Sequence, residues 1–205
     1  MRKVFVGSIP LQKPQLRYYQ AQDNSTLQCE NKVSHPLILL VQGYAQNHDH
    51  VVVVLCMTES EVADRNALHL KEELIKIRDA VGFSLSIEIK RFPDNEQLDA
   101  HIHLFSTLIS CLEQDDNLYL DITFGTKPTP IILMNVAYFL AKTRNVSVEC
   151  ICYGRIPDHK DHEKPGFIYD VTSLYRLTTT IDVLSRMKVD NPEIVLKKLL
   201  GLHND

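Results

Sequence analysis

The feature that most constrains the fold is an uninterrupted run of seven apolar residues at positions 51–57. A strand that is apolar at every position is buried on both faces, which is typical of a central strand in a parallel sheet. Thr58, Glu59 and Ser60 follow the run directly. We therefore expect a central strand whose carboxyl end leads into a polar loop.

Strand patterns and helix patterns alternate along the rest of the chain. Further strands are expected at residues 3–9, 84–92, 118–123, 146–153 and 167–171, with a short extended piece at 16–21. Helices are expected at residues 36–46, 64–81, 98–112, 131–140, 178–188 and 192–202. Such alternation implies right-handed crossovers and a mostly parallel sheet flanked by helices. The sequence therefore predicts an α/β fold that ends in short C-terminal helices.

Local patterns assign the ends of several helices. Ser34 is expected to cap the helix at 36–46, and Gly82 is expected to end the helix at 64–81. Asp94 and Gln97 resemble a capping box for the helix that follows them.

The spacing of apolar residues predicts which faces of these elements are buried. The strand at 84–92 alternates apolar and polar residues, which favours a position near a sheet edge. The helix at 131–140 is apolar nearly all round, and a subunit interface would cover its outer side. The buried stripe of the helix at 98–112 is expected to consist of Leu98, Ile102, Phe105, Ile109 and Leu112.

Charge and cysteine content exclude several classes of protein. A formal net charge of -4 argues against an extended nucleic-acid interface, because binding many phosphates requires many Lys and Arg residues. The chain has five cysteines, an odd number, and three of them fall in expected strands, so reduced core thiols in the cytoplasm are expected. No signal peptide or membrane span is expected, since residues 2–3 are charged and the longest apolar run is too short.

Histidines and cysteines do not suggest a metal site. Cys150 and Cys152 have no second cysteine pair to complete a zinc site. His101 and His103 are two residues apart on a helix and cannot share a face. The remaining histidine pairs lie in loops, where solvation is the default expectation. No metal ion and no cofactor are therefore expected.

Residues 118–130 contain the strongest indication of function. A buried strand is followed by Gly125, which adopts backbone angles closed to other residues, then by Thr126 and Lys127. Thr129 and Pro130 are expected to form an N-cap and a first helical residue. Free helix N–H groups, a hydroxyl and a lysine together can bind a phosphate or another anion. The simpler alternative is a βα turn with a surface lysine.

Three polar strand exits are expected to lie together. They are Ser8 after the first strand, residues 58–60 after the central strand, and residues 124–129. Ligands of parallel sheets bind beyond the carboxyl ends of the strands, at the point where the strand order reverses. Two nucleotide motifs are missing: no G-x-G-x-x-G follows the first strand, and Gly125 to Lys127 lack the upstream glycine of a Walker A loop.

The run DITFGTKPTP resembles the signature loop of the CARF family, the CRISPR-associated Rossmann fold, whose members typically carry D-x-T-x-G-[TF]-[KR]. Over residues 1–177, further similarity lies in RKVFVGSI, Tyr18 and Tyr19, VVVVLCMTES, Tyr153-Gly154 and IYDVTSLY. The resemblance implies a Rossmann-like domain at 1–177, followed by a helical segment at 178–205.

The resemblance further implies a homodimeric sensor of cyclic oligoadenylates, the messengers of type III CRISPR defence. Lys127 and the N–H groups of residues 125–127 are expected to bind phosphate, while Asp121 is expected to order the loop. The full set of expected ligand-binding residues is Ser8, Ile9, Thr58, Glu59, Ser60, Thr123, Phe124, Gly125, Thr126, Lys127, Pro128 and Thr129.

Two functions remain open on the sequence. The first is a binding module that senses a cyclic oligoadenylate, with cyclic tetra-adenylate as the expected ring. It would signal to its own C-terminal segment, to an effector region or to a partner protein. No R-x-x-x-x-H pattern of HEPN ribonucleases is present at Arg155 or Arg186. The second is a metal-independent ring nuclease that leaves a 2′,3′-cyclic phosphate, with Lys127, Thr126 and Ser8 as the expected catalytic residues.

Overall fold

The computed structural model describes residues 1–93, 95, 97–157, 163–187 and 189–199. The chain divides into two compact units, Met1–Val171 and Thr172–Asp205. The domain boundary expected after residue 177 falls inside a helix that begins at Thr172.

The first unit is built on one sheet. Within the described residues its seven strands are Arg2–Ser8 (β1), Tyr19–Ala21 (β2), His50–Thr58 (β3), Ser84–Phe92 (β4), Asn117–Asp121 (β5), Ser147–Arg155 (β6) and Gly166–Asp170 (β7). They lie in the order β2-β7-β6-β5-β1-β3-β4. The pair β6 and β7 is antiparallel, and the other neighbours are parallel. The expected mostly parallel α/β sheet is confirmed.

Helices flank this sheet. The described α-helices of the first unit are Pro36–Tyr44 (α1), Glu61–Val81 (α2), Leu98–Cys111 (α3) and Thr129–Thr143 (α4), and a short 3-10 helix spans Ser25–Leu27. The pair α1 and α2 packs together, as does the pair α3 and α4. Helices α1 and α2 connect β1 to β3 and β3 to β4, whereas α4 connects β5 to β6 in the opposite direction across the sheet. Because all these crossovers are right-handed, the pair α1 and α2 and the pair α3 and α4 lie on opposite faces of the sheet.

The described part of the second unit contains two helices, Thr172–Arg186 (α5) and Pro192–Leu199 (α6). Both C-terminal helices were expected, but α5 begins six residues before the expected start at 178. The expected end of α6 at residue 202 lies outside the described residues. None of the helices described in either unit is long and apolar enough to cross a bilayer.

The strand order reverses at β1. The chain runs from β1 to β3 and β4 on one side, and then returns to β5 on the other. Register places Ser8 beside Cys56, and Gly7 beside Asp121, so the carboxyl ends of these three strands meet at one edge. A crevice at this edge is the usual ligand site of such a sheet.

The predicted burial of the strands is confirmed. Residues 51–58 of β3 are all buried, as a central strand requires. Strand β4 is at the sheet edge and is only partly buried along its length. All five cysteines are free thiols; Cys29 is half-buried and the other four are buried.

Two expected helix caps differ from the structure. His35, not Ser34, caps α1, and its Nδ1 accepts a hydrogen bond from the N–H of Leu37. Helix α3 begins at Leu98 with Gln97 as its N-cap, and Gln97 makes no side-chain capping bond. Asp94, the first residue of the expected capping box, lies outside the described residues.

The expected buried stripe of α3 is wrong for most of its members: of the five, only Leu112, the C-cap, is buried. The helix buries Ala100, Leu104, Leu108 and Cys111 instead. Leu98 and Ile102 are 70% and 52% exposed. Two apolar stripes with helical spacing run along α3, so spacing alone does not identify the buried one.

The side chains that α3 leaves outside continue onto α4. Ile131 and Phe139 of α4 are exposed, and the ring of Phe139 packs edge-on against Phe105 of α3 at a centroid distance of 5.8 Å. We call Leu98, Ile102, Phe105, Ile131 and Phe139 the outer apolar face. Its coverage by a second subunit stays a prediction.

Candidate functional site

A cavity of about 440 Å³ lies at the carboxyl ends of β1, β3, β5 and β6. The expected ligand residues in its wall are Ser8, Ile9, Thr58, Thr123, Phe124, Gly125 and Thr126. The loops after three separate strands therefore form one cavity, as the order of the strands predicts.

The remaining expected ligand residues lie outside this wall. Ser60 caps α2, with its Oγ accepting a hydrogen bond of 3.2 Å from the N–H of Val62. Glu59 and Lys127 are exposed, Pro128 is the N-cap of α4, and Thr129 is buried at its first position. Their contact with a ligand stays a prediction.

Several wall residues were not expected as ligand residues. They are Pro10, Leu11, Gln12, Phe92, Tyr153, Gly154, Arg155 and Ile156. Arg155 ends β6, next to β5, so the same strand-end argument could have found it. Tyr18 and Tyr19 do not line this cavity, and Tyr19 is buried within β2.

The loop between β5 and α4 is held in one conformation by its own residues. Gly125 has φ +116°, and a Cβ at this position would lie 2.8 Å from the Cβ of Thr129. The hydroxyls of Thr126 and Thr129 are 3.1 Å apart, and the N–H of Thr129 donates to the carbonyl of Thr126. Only glycine fits this left-handed, close approach without strain.

Thr129 is not the N-cap of α4, as had been expected. The helix begins one residue earlier, with Pro128 as the N-cap and no side-chain capping bond. The Thr129 hydroxyl bonds back to Thr126 instead of capping the helix. The positive end of the helix therefore has no side-chain cap beside the loop.

Two hydroxyl groups in the wall have no hydrogen-bond partner among the described residues. They are the Oγ of Ser8 and the Oγ1 of Thr58, whose residues are 2% and 6% exposed. A buried polar group without a partner costs about 1–3 kcal/mol. Such groups in a native structure usually indicate a bound water, ion or ligand.

Asp121 orders the start of the loop between β5 and α4, as expected. Its Oδ1 accepts a hydrogen bond of 2.9 Å from the N–H of Thr123. The Oγ1 of Thr123 in turn accepts one of 2.8 Å from the N–H of Gly154, which ties the loop to β6. Asp121 is fully buried and is not part of the cavity wall.

His35 is a buried neighbour of the site that sequence reasoning missed. Its Nε2 donates to the carbonyl oxygen of Ser8 at 2.9 Å, so Nδ1 is the acceptor for Leu37. Asp121 Oδ2 lies 3.1 Å from this Nδ1, which has no hydrogen to offer it. The His35 ring also packs against Phe124 at a centroid distance of 4.9 Å. His35 thus supports two wall residues at once.

The thiols near the site are not nucleophiles. Burial, with the Asp121 carboxylate nearby, raises the pKa of Cys152 well above its usual value. Burial raises the pKa of Cys56 to about 12. A thiol reacts as its thiolate, so both cysteines are unreactive near neutral pH.

The wall combines groups that suit a phosphorylated, ring-bearing ligand. Arg155 is the one cationic side chain among the described residues of this wall. Arginine binds phosphate in a planar, bidentate manner. Phe92, Phe124 and Tyr153 supply aromatic surface. Across the described positions, no group of three or more His, Cys, Asp or Glu residues could hold a metal ion.

The comparisons with known proteins leave the geometry of this cavity as the main guide to function. No protein-family model matches the chain, and no curated protein matches it significantly.

Proposed function

We propose that the cavity binds part of a cyclic oligoadenylate and that the protein is a sensor of this messenger in type III CRISPR defence. The observation that supports this proposal most directly is the pair of unpaired hydroxyls, Ser8 Oγ and Thr58 Oγ1, in a wall that also contains Arg155 and the Gly125 loop. Ribose and phosphate oxygens of a nucleotide would give these hydroxyls the partners that they lack.

The resemblance of the loop to the CARF signature supports the same ligand. The stretch DITFGTKPTP places Gly125 and Thr126 at the cavity, between the ends of two strands. Backbone N–H groups at a strand end and helix start suit an anion. Arg155 adds a positive charge to the same wall, at the end of the neighbouring strand β6.

The size of the cavity favours a ligand shared between two chains. About 440 Å³ is near the lower end of the range for drug-sized ligands, so one cavity holds only part of a cyclic oligonucleotide. A two-fold homodimer presents the same wall twice to a two-fold ring. The proposed partner surface is the outer apolar face, in which Ile131 lies two residues after Thr129 and close to the loop.

The sensor is proposed to pass on ligand occupancy through its C-terminal segment, to an effector region or to a partner protein. Taken by itself, that segment carries exposed apolar side chains on both of its helices, among them Leu174, Ile181, Met187 and Ile194. Exposed apolar side chains of this kind are typical of interaction surfaces.

A thermal-shift panel tests the proposal. Cyclic tri-, tetra- and hexa-adenylate, linear tetra-adenylate and AMP are each added at 100 µM to the purified protein. A ring that binds the folded state raises Tm, and a concentration of about 100 Kd adds about 2.7 kcal/mol of stability. We expect a rise of several degrees for at least one ring and a smaller rise for the linear and monomeric compounds.

Two variants make the panel specific to the cavity. Arg155→Gln should lose most of the ring-dependent shift, because it removes the cation from the wall. Arg78→Gln is the matched control, since Arg78 pairs with Asp79 at the far end of α2 and should keep the full shift. An equal shift in both variants would contradict the proposed site.

Ring cleavage is the alternative, and the same samples test it. Lys127, one of its expected catalytic residues, is exposed and outside the cavity wall of a single chain. No observation therefore favours the nuclease over the sensor. Recovery of intact ring after hours with excess protein would remove the nuclease, whereas a product ending in a 2′,3′-cyclic phosphate would establish it.

A further inference from the structure

A second, smaller cavity of about 90 Å³ adjoins the one described above. Thr58, Phe92 and Thr126 line both cavities, so the two are neighbours. We call the smaller one the side cavity. His101 of α3 also lines it, and Thr129 closes it next to Thr126.

Two polar atoms in the wall of the side cavity lack partners. They are the Oγ1 of Thr58 and the Nε2 of His101. Both atoms are closed to solvent and have no hydrogen bond to any described residue. Thr58 is 94% buried as a residue, given its 6% exposure, so its hydroxyl cannot be satisfied by bulk water. Two such atoms in one small cavity indicate a missing polar group.

The clustering of unpaired atoms strengthens this inference. Among the described residues, Ser8, Thr58 and His101 each contribute a buried side-chain atom that makes no hydrogen bond. These three residues line the main cavity, the side cavity or both. Unpaired buried groups are expected to be few and scattered in a structure without a ligand site.

We propose that the side cavity receives the polar edge of an adenine base. This inference rests on the proposed function, because the phosphate of the same nucleotide would lie in the main cavity. An engineered cavity of about 150 Å³ holds benzene, so about 90 Å³ is too small for a whole purine and accommodates an edge.

The hydrogen-bonding groups of the side cavity match such an edge. Adenine offers its 6-amino donor beside a ring-nitrogen acceptor. A threonine hydroxyl donates and accepts, and a neutral imidazole nitrogen does one or the other according to tautomer. Phe92 lies between the two cavities and offers its ring to the base. Together these residues would select the base, while Arg155 and the loop bind the phosphate.

The test combines a ring that lacks the adenine 6-amino group with variants of the two side chains proposed to recognise that group. Cyclic tetra-adenylate is compared with the same ring carrying purine, which lacks the 6-amino group, in place of adenine. We expect the wild-type protein to bind the purine ring at least about tenfold more weakly. In His101→Ala and in Thr58→Val the ratio of the affinities for the adenine ring and the purine ring should fall to about twofold or less.

Two further histidine variants distinguish recognition of the base by His101 from the packing of its ring. His103→Ala changes an exposed histidine on the same helix and should keep the full difference between the two rings. His101→Phe keeps an aromatic ring but removes the nitrogens, so it should lose the difference while the Tm stays near the wild-type value. If His101→Phe and Thr58→Val still distinguish the rings tenfold, the side cavity does not receive the base edge. If the wild-type protein binds neither ring, the proposed function itself is wrong, and this inference with it.

Discussion

His35 Nε2 donates a hydrogen bond of 2.9 Å to the carbonyl oxygen of Ser8, and thereby joins the start of α1 to the end of β1. The other ring nitrogen caps α1 by accepting from Leu37. One buried side chain, 2% exposed, therefore sets the position of a cavity residue and the start of a helix. The structure of the site depends on this residue even though it does not line the cavity.

Replacing His35 with alanine should destabilise the fold. The change removes a helix cap and a buried hydrogen bond and leaves the Ser8 carbonyl unpaired, at a cost of about 2–3 kcal/mol. Urea unfolding followed by circular dichroism measures the loss. His69→Ala, at an exposed position of α2, should cost less than about 0.5 kcal/mol. A His35→Ala protein as stable as the wild type would show that these contacts contribute nothing.

Removing the unpaired hydroxyls should separate stability from binding. Ser8→Ala and Thr58→Val delete buried oxygens that have no partner among the described residues, so stability should be unchanged or should rise by up to about 1 kcal/mol. Binding of cyclic tetra-adenylate should weaken about tenfold in each variant. Chemical unfolding and calorimetry on the same samples give both values. A loss of stability with unchanged affinity would mean that the hydroxyls are structural.

Substituting Gly125 should damage the loop. In Gly125→Ala the added Cβ would lie 2.8 Å from Thr129, at a φ of +116° that other residues rarely adopt. We expect a loss of about 1–3 kcal/mol and a marked loss of ring binding. Gly82→Ala is the control, because Gly82 also has positive φ (+91°) but ends α2 away from the cavity. It should lose stability and keep its affinity for the ring.

Much of the fold follows from the sequence because its main signals are local. The apolar run in β3 requires burial on both faces, and Gly82 ends α2 with a left-handed residue. Faces and caps that depend on tertiary contacts were predicted less well. Ser34 is the better cap by preference, but His35 reaches both Leu37 and Ser8. In α3, packing decides between two apolar stripes that have the same spacing.

The candidate site was predicted in part for a similar reason. Ser8, Thr58 and residues 123–126 come together because parallel strands end at the same edge. Arg155 and Phe92 also come from strand ends, but nothing in their local sequence distinguishes them from surface residues. His101 reaches the side cavity from α3, and only the packing of that helix places it there.

The ion pair between Lys3 and Asp49 should make stability depend on pH. Their charged atoms are 2.7 Å apart, and both side chains are nearly buried. Burial opposes ionisation of Asp49, but the hydrogen bonds from Lys3 and from the N–H of Gln46, with the charge of Lys3, lower its pKa below 3.8 overall. A lowered folded-state pKa gives stability that is present above the unfolded value and is lost as the pH falls through the folded value.

Asp49→Asn tests this dependence. At pH 7 the variant should be less stable than the wild type by about 1–3 kcal/mol, and the gap should narrow as the pH falls below 3.8. Asp79→Asn removes an exposed carboxylate that pairs with Arg78 and should show little difference at any pH. Urea unfolding at several pH values from 2.5 to 7 measures both. If the difference in unfolding free energy between the wild type and Asp49→Asn stayed constant over this pH range, the ion pair would be excluded as its cause.

Calorimetric titration of the protein with cyclic tetra-adenylate tests the proposed function most directly. We expect heat of binding with a stoichiometry of one ring to two chains, and its loss in a Thr58→Val, Arg155→Gln double variant that remains folded. If rings of three to six adenylates all give no heat at 50 µM protein, or if the double variant binds as the wild type does, this cavity is not a receptor for cyclic oligoadenylate.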